Sequence, residues 1–176
     1  MNRRQWLIRI IKGFSLTGLA ALSYPLFRYL GSEQRVPSGL VVPIADLKPG
    51  ETKNVLWQGR RVLIIRRTER ALTLLGQKTK DQLKDSASLL SRQPPAAGNR
   101  FRSVKPEFFV TYLNCSHLGC EVSLAKEPEN GFLCPCHQSA YDASGRVLVG
   151  SAAPLNLEIP VYYYINDEAI VLVERG

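Results

Sequence analysis

All four cysteines and both histidines of this 176-residue chain fall between positions 115 and 137. Cysteines that serve only as small apolar residues have no reason to gather in this way. Nor has a surface histidine any reason to sit twice within a few residues of a cysteine. A shared metal site, a disulfide, or both are the chemistries to consider first. The first segment reads Cys115-Ser116-His117-Leu118-Gly119-Cys120, and the second reads Cys134-Pro135-Cys136-His137. Each offers a cysteine followed at short range by a histidine, plus one further cysteine. Zinc with mixed ligands satisfies such spacing, and so does a redox pair of cysteines beside unrelated histidines. The duplicated form favours a third arrangement, in which two irons share bridging sulfides and each needs two protein ligands. A Cys-x-His and a Cys-x₂-His set give one iron two thiolates and the other two imidazoles. Neutral imidazoles lower the negative charge of such a cluster and raise its potential to roughly −150 to +300 mV, a range suited to taking an electron from a quinol. Spacing alone leaves open which cysteines are ligands.

The flanking sequence is patterned for short strands. Leu40 to Ile44, Lys53 to Trp57 and Arg61 to Arg67 are strand candidates, the last two joined by a turn at Gln58-Gly59. Glu107 to Leu113, Leu157 to Tyr164 and Ala169 to Glu174 continue the series, with a turn at Asn166-Asp167. Leu72 to Leu75 is ambiguous. Lys80 to Leu90 is the helical candidate, because Leu83, Ala87 and Leu90 recur at helical spacing and Thr79 or Asp81 can cap its start. The expected fold is therefore mostly β, with one short helical insertion.

The N-terminus has a different character. Arg3, Arg4, Arg9 and Lys12 precede an uncharged stretch from Gly13 to Phe27, and Arg28 follows it. That stretch is short for a bilayer, but snorkelling basic residues extend the usable span to residues 8–29. The bulky run Tyr24-Pro25-Leu26-Phe27 offers no small-residue cleavage site, which favours an uncleaved anchor. Residues 1–30 are thus expected to form a twin-arginine-like signal and single transmembrane helix, with its N-terminus in the cytoplasm. Residues 31–39, polar and rich in turn formers, read as a flexible tether, and residues 40–176 as the head.

Composition narrows the remaining classes. A hydrophobic content of 45% is that of a folded protein. A net charge of +8 reads first as a generally basic surface, with nucleic acid, an anionic membrane surface or an acidic partner as the alternatives. No repeat and no phosphate-binding glycine-rich loop is evident, and nucleic acid is not among the expected partners.

The two cysteine–histidine segments resemble the signature of the Rieske iron–sulfur proteins, Cys-x-His-x-Gly-Cys followed by Cys-x-Cys-His. The resemblance implies one [2Fe–2S] cluster held by Cys115 and Cys134 on one iron and His117 and His137 on the other, with Cys120 and Cys136 as a disulfide. It implies an antiparallel Rieske-type domain with cluster-binding loops at 115–120 and 134–141. Ser139 and Tyr141 fall where the family places two hydroxyls that hydrogen-bond the cluster sulfurs, and such donors raise a cluster's potential. Leu118 resembles the apolar residue that covers the cluster. Three positions depart from the pattern: Ser116 stands for the usual Thr, Gln138 for Gly, and Gly150-Ser151-Ala152-Ala153-Pro154 for a Gly-Pro-Ala-Pro loop.

Further stretches, among them Trp57-Gln58-Gly59-Arg60-Arg61-Val62, Lys105-Pro106-Glu107-Phe108-Phe109-Val110 and Pro154-Leu155-Asn156-Leu157-Glu158-Ile159-Pro160, resemble the bacterial bc1-type members of that family. The resemblance implies the iron–sulfur subunit of a quinol–cytochrome c oxidoreductase. Its expected partners are ubiquinol, cytochrome b, cytochrome c1 and, through the N-terminal helix, membrane lipid. It implies a location in the bacterial inner membrane, single-pass, with the head on the periplasmic side. His137, ahead of His117, is expected to accept the hydrogen bond of the quinol hydroxyl and to take its proton as the cluster takes one electron. The alternatives are an anchored Rieske subunit of a b6f-type complex or arsenite oxidase, or a zinc-bound structural module.

Overall fold

Val62 to Ile65 places four large apolar, mostly β-branched residues in succession, a pattern that suits a strand covered on both faces. A computed structural model describes residues 2–7, 23–24, 39–127 and 130–174, and in it this run is the middle of β3, Arg60–Arg66, with all four residues buried. β3 pairs antiparallel with β2, Thr52–Trp57, on one side and with β4, Phe108–Tyr112, on the other. Gln58 and Gly59, both at positive φ (50° and 72°), form the two-residue turn between β2 and β3. That turn twists with the strands it joins.

A second three-stranded sheet has the order β1–β9–β8 and contains Gly39–Pro43, Ala169–Val173 and Val161–Asn166. Its tight turn is held by Asn166, whose Oδ1 accepts from the amides of Glu168 and Ala169. Ile44, Val62, Ile64, Phe109, Val110, Leu157, Ile159, Ile170 and Leu172 from these two sheets and their connections make one fully buried core. The same core continues into a third, much smaller sheet of β5, Ser123–Leu124, β6, Phe132–Leu133, and β7, Ala140–Tyr141. Phe132 bridges the two, its ring 6.0 Å from that of Phe109.

The helical insertion lies earlier than the sequence suggests. The helix, α1, spans Glu69–Gln77, and Lys80–Gln82 is only a single 3-10 turn. Thr68 caps α1 by accepting from Ala71 N, and Ala71 and Leu75 are its buried face. Downstream, Leu83 forms a β-bridge with Leu148, and the Asp85 carboxylate takes up the amides of Leu89 and Leu90. Those side-chain bonds hold residues 84–91 in a loop and leave the two leucines 84% and 71% exposed. The exit strand is also shorter than expected: β8 begins at Val161, one residue after Pro160, which has no amide to donate to a ladder.

The chain divides into two units, residues 1–37 and 38–176. The expected anchor at 1–30 lies largely outside the described residues. Among the described residues no helix is long and apolar enough to cross a membrane. The expectation of a single-pass inner-membrane protein is corrected to that extent: the described residues contain no spanning helix. At the other boundary, Gly39, read as the last residue of the tether, is already the first residue of β1, paired with Val173.

Candidate functional site

Two hairpin loops carry the cysteines and histidines, and each is closed by its own backbone. Cys115 N donates to Cys120 O at 2.8 Å and Gly119 N donates to Cys115 O at 2.9 Å, so residues 115–120 fold into a tight turn at the end of β4. Cys134 N donates to Ser139 O at 2.8 Å, which closes residues 134–139 between β6 and β7. Gln138 completes that turn at φ 56°, a left-handed conformation that favours glycine. Cys120 and Cys136, one on each loop, are bonded to each other, with Cα atoms 6.6 Å apart.

A third segment, 150–155, is laced to both loops by serine hydroxyls. Ser116 Oγ donates to Leu155 O at 2.6 Å and accepts from Leu155 N at 3.2 Å. Ser151 Oγ does the same for Ala140, accepting from its amide at 3.0 Å and donating to its carbonyl at 3.2 Å. Ser139 Oγ, fully buried, accepts from Ala153 N at 2.9 Å. The two-way bridge of Ser151 was not apparent in the sequence. A serine beside a loop glycine was its one visible trace.

The expected site residues occupy one region. The His117 and His137 rings lie edge to face with centroids 4.6 Å apart, His137 exposed and His117 half-buried. His117 Nδ1 is buried with no hydrogen-bond partner, a costly state for a ring nitrogen that a bonded group at that atom would relieve. Cys115 and Cys134 are free and buried. Tyr141 Oη lies 3.3 Å from Cys115 Sγ and accepts from Ser116 N at 3.3 Å. Burial raises the Cys115 thiol, but bonds from Tyr141, the His117 amide, Cys134 and the Leu118 amide outweigh it, so the thiol is held below its ordinary range. The Tyr141 phenol moves the opposite way, raised by burial and then by Cys115. Leu118, expected as an apolar cover, is 70% exposed at the tip. Gly131 has a packing role: a Cβ there would collide with the backbone oxygen of Tyr141.

The expected cofactor donor set, two cysteines and two histidines around one cluster, is corrected by the sulfur positions. Among the described residues, the group whose donor atoms all lie within 4.8 Å of one another is Cys120, Cys134 and Cys136, and it includes no histidine. The physical reason is the disulfide, which joins Cys120 and Cys136 beside the Cys134 thiol. A bonded sulfur is not a thiolate, so this group offers a metal ion three thiolates only once that bond is reduced.

A mostly β head with a short helical insertion and two cysteine–histidine loops is the architecture of a known class, and the profile of the Rieske [2Fe-2S] domain matches residues 38–162. The chain belongs to that family. The ubiquinol-cytochrome c reductase iron-sulfur subunit of Allochromatium vinosum is 31% identical to it over 183 residues, covering 95% of this chain and 88% of its own length. The subunits of the same description from Blastochloris viridis and Rickettsia conorii are 32% and 34% identical, covering 96% of this chain in each case and 91% and 92% of their own lengths.

Proposed function

We propose that the chain is the iron–sulfur subunit of a bc1-type quinol–cytochrome c oxidoreductase, passing single electrons from ubiquinol to cytochrome c1 beside cytochrome b. The observation that carries this reading is the likeness, over nine-tenths or more of the chain, to subunits of that description. The iron–sulfur group that gives the family its name supplies a one-electron couple when bound. The chain's own residues supply the rest. Cys115 and Cys134 are the buried thiols of the site, and His117 and His137 form its edge toward the partner. His137, the exposed ring, meets the quinol hydroxyl and takes its proton, and His117 stands against it. Ser139 and Tyr141 place hydroxyls at the buried side, where a donor favours the more negative, reduced state. The bond between Cys120 and Cys136 keeps the two loops together while charge changes between them.

The test is reconstitution. The full chain, assembled with cytochrome b and cytochrome c1, is expected to support quinol-dependent cytochrome c reduction, and His137→Ala or Cys115→Ser to abolish it. Turnover retained in either variant would remove that residue from the site, and an inactive wild-type assembly would remove the reading.

A further inference from the structure

A cleft of about 410 Å³ opens in the head between the end of α1, the 3-10 turn and the loops at 83–87 and 98–100. Leu75, Lys78, Lys80, Ser86, Arg100 and Arg146 border it, and no Asp or Glu is among the described residues that line it. Two of the four cationic side chains are anchored. Arg146 is set into the wall, its side chain 7% exposed, with Nε donating to Ser86 O at 3.0 Å and Nη2 to Asn99 O at 3.2 Å. Arg100 is exposed and donates from Nη2 to Gly76 O at 2.8 Å, so it answers the negative carbonyl end of α1.

The donors of these groups are not all used. Arg146 Nη1 has no hydrogen-bond partner among the described residues, and its ion-pair contact with Asp142 Oδ2, at 3.9 Å, is beyond hydrogen-bond reach. Asp142 Oδ2 is sealed from solvent, whereas Arg146 Nη1 is not. The carboxylates whose charge reaches Arg146 are Asp142 and Asp85, and both are committed to backbone amides. Asp142 Oδ1 accepts from Ser144 N and Arg146 N, and Asp85 accepts from Leu89 N and Leu90 N. Asp81, beside Lys80 in the chain, does not line the cleft. Lys78 and Lys80 are exposed, and neither ammonium has a partner among the described residues.

We propose that this cleft is a binding site for a phosphate group, with Arg146 as its fixed donor, Arg100 as a second guanidinium, and Lys78 and Lys80 as mobile counter-charges. A guanidinium presents N–H donors in one plane that match the oxygens of a phosphate, and one already held in a wall loses little freedom on binding. The two ammonium groups add charge without demanding a fixed geometry. Free phosphate, small phosphate esters and the headgroup of an anionic lipid all present this group. None of these residues belongs to the cysteine–histidine loops, so the site stands apart from the electron-transfer reading.

The experiment follows hydrogen exchange by mass spectrometry in segments 76–87 and 98–101 of the full chain, held in neutral detergent micelles. One arm adds inorganic phosphate at constant ionic strength. The other mixes phosphatidylglycerol into the micelles, with phosphatidylcholine as the control. Binding slows exchange at the cleft as the ligand rises past its dissociation constant, by about tenfold at nine times that constant. Saturable slowing in these segments is expected, with β8 and β9 unmoved. Lys78→Gln/Lys80→Gln should raise the dissociation constant about tenfold, since two charge-assisted contacts are lost. Both side chains are exposed and unpartnered, so the fold is not at stake, whereas removing Arg146 would leave Asp142 buried without its counter-charge. Lys48→Gln/Arg61→Gln removes as many charges outside the cleft and should change the constant by less than about twofold. Slowing by free phosphate assigns a soluble ligand. Slowing by phosphatidylglycerol alone, weakened in the Lys78 and Lys80 variant, assigns a lipid headgroup. No slowing in either arm overturns the proposal. So does slowing that the two double variants affect alike, which marks diffuse attraction to a basic chain.

Discussion

The base and the tip of the head are built by different means. The base, strands β1–β4, β8 and β9, is built of strands of five to seven residues around a core of fully buried apolar side chains. The tip has three strands of two residues each and depends on serine bridges, a tyrosine hydroxyl and one disulfide. Hydrophobic burial is non-directional and tolerates small displacements, whereas a hydrogen bond loses strength steeply with distance and angle. The base therefore secures that the domain folds, and the tip secures where a few donor atoms stand. The comparison predicts that damage to the base is global and damage to the tip local.

The largest effect is expected where the two meet. Phe109 is fully buried and touches Phe132 of the small sheet, so Phe109→Ala should cost about 3–5 kcal/mol. Both regions should melt together in calorimetry, and two separate transitions would mean that tip and base are independent. Next is the disulfide, whose partners are 16 residues apart. Replacing both cysteines by serine should remove about 3 kcal/mol. Hydrogen exchange should then quicken about a hundredfold at the tip amides of Cys134 and Ala140, with β8 and β9 unchanged. Equal loss in both regions would erase the distinction.

Tyr141→Phe is a finer cut. It removes a hydroxyl from Cys115 Sγ and from Ser116 N and should cost about 1–2 kcal/mol, confined to the tip. In the loaded protein the midpoint potential should fall, since a donor that favours the reduced state is gone. Film voltammetry reads this, and an unmoved potential would make Tyr141 an ordinary core residue. The smallest effect is Gln138→Gly. Relief of the left-handed strain at φ 56° is offset by the greater freedom of glycine when unfolded, so the change should stay within about 1 kcal/mol. A larger loss in thermal melts would show that the exposed 3.4 Å bond from Gln138 Nε2 to Pro135 O outweighs the backbone effect.

The same division explains what could be read from the sequence. The long strands of the base were legible because their residues are chosen by burial, and burial leaves runs such as Val62-Leu63-Ile64-Ile65. The helix was misplaced because the spacing of Leu83, Ala87 and Leu90 imitates an apolar face. Asp85 captures the amides of Leu89 and Leu90, and Leu83 goes to a strand bridge. The two-residue strands leave no periodicity at all. At the site, residue types announced the chemistry, but the partners did not show. Ser151 reaches Ala140, and Ser116 reaches Leu155, across distances in sequence that no local pattern encodes.

Among the described residues, Arg67, Arg102 and Arg146 are buried together with two buried carboxylates, Asp85 and Asp142. Four carbonyl or amide oxygens accept from the Arg102 guanidinium, those of Gln93, Ser144, Gly145 and Leu157, so it serves as a hub for irregular backbone. Burial pushes its pKa down to about 9, which still leaves it charged at neutral pH. Three buried guanidinium groups to two buried carboxylates leave this part of the interior with an excess of basic over acidic groups. Mobile ions screen such charges far less than exposed ones. Dissolved salt will therefore act far more on the exposed charges through which the head meets its surroundings than on this interior charge, which travels with the fold.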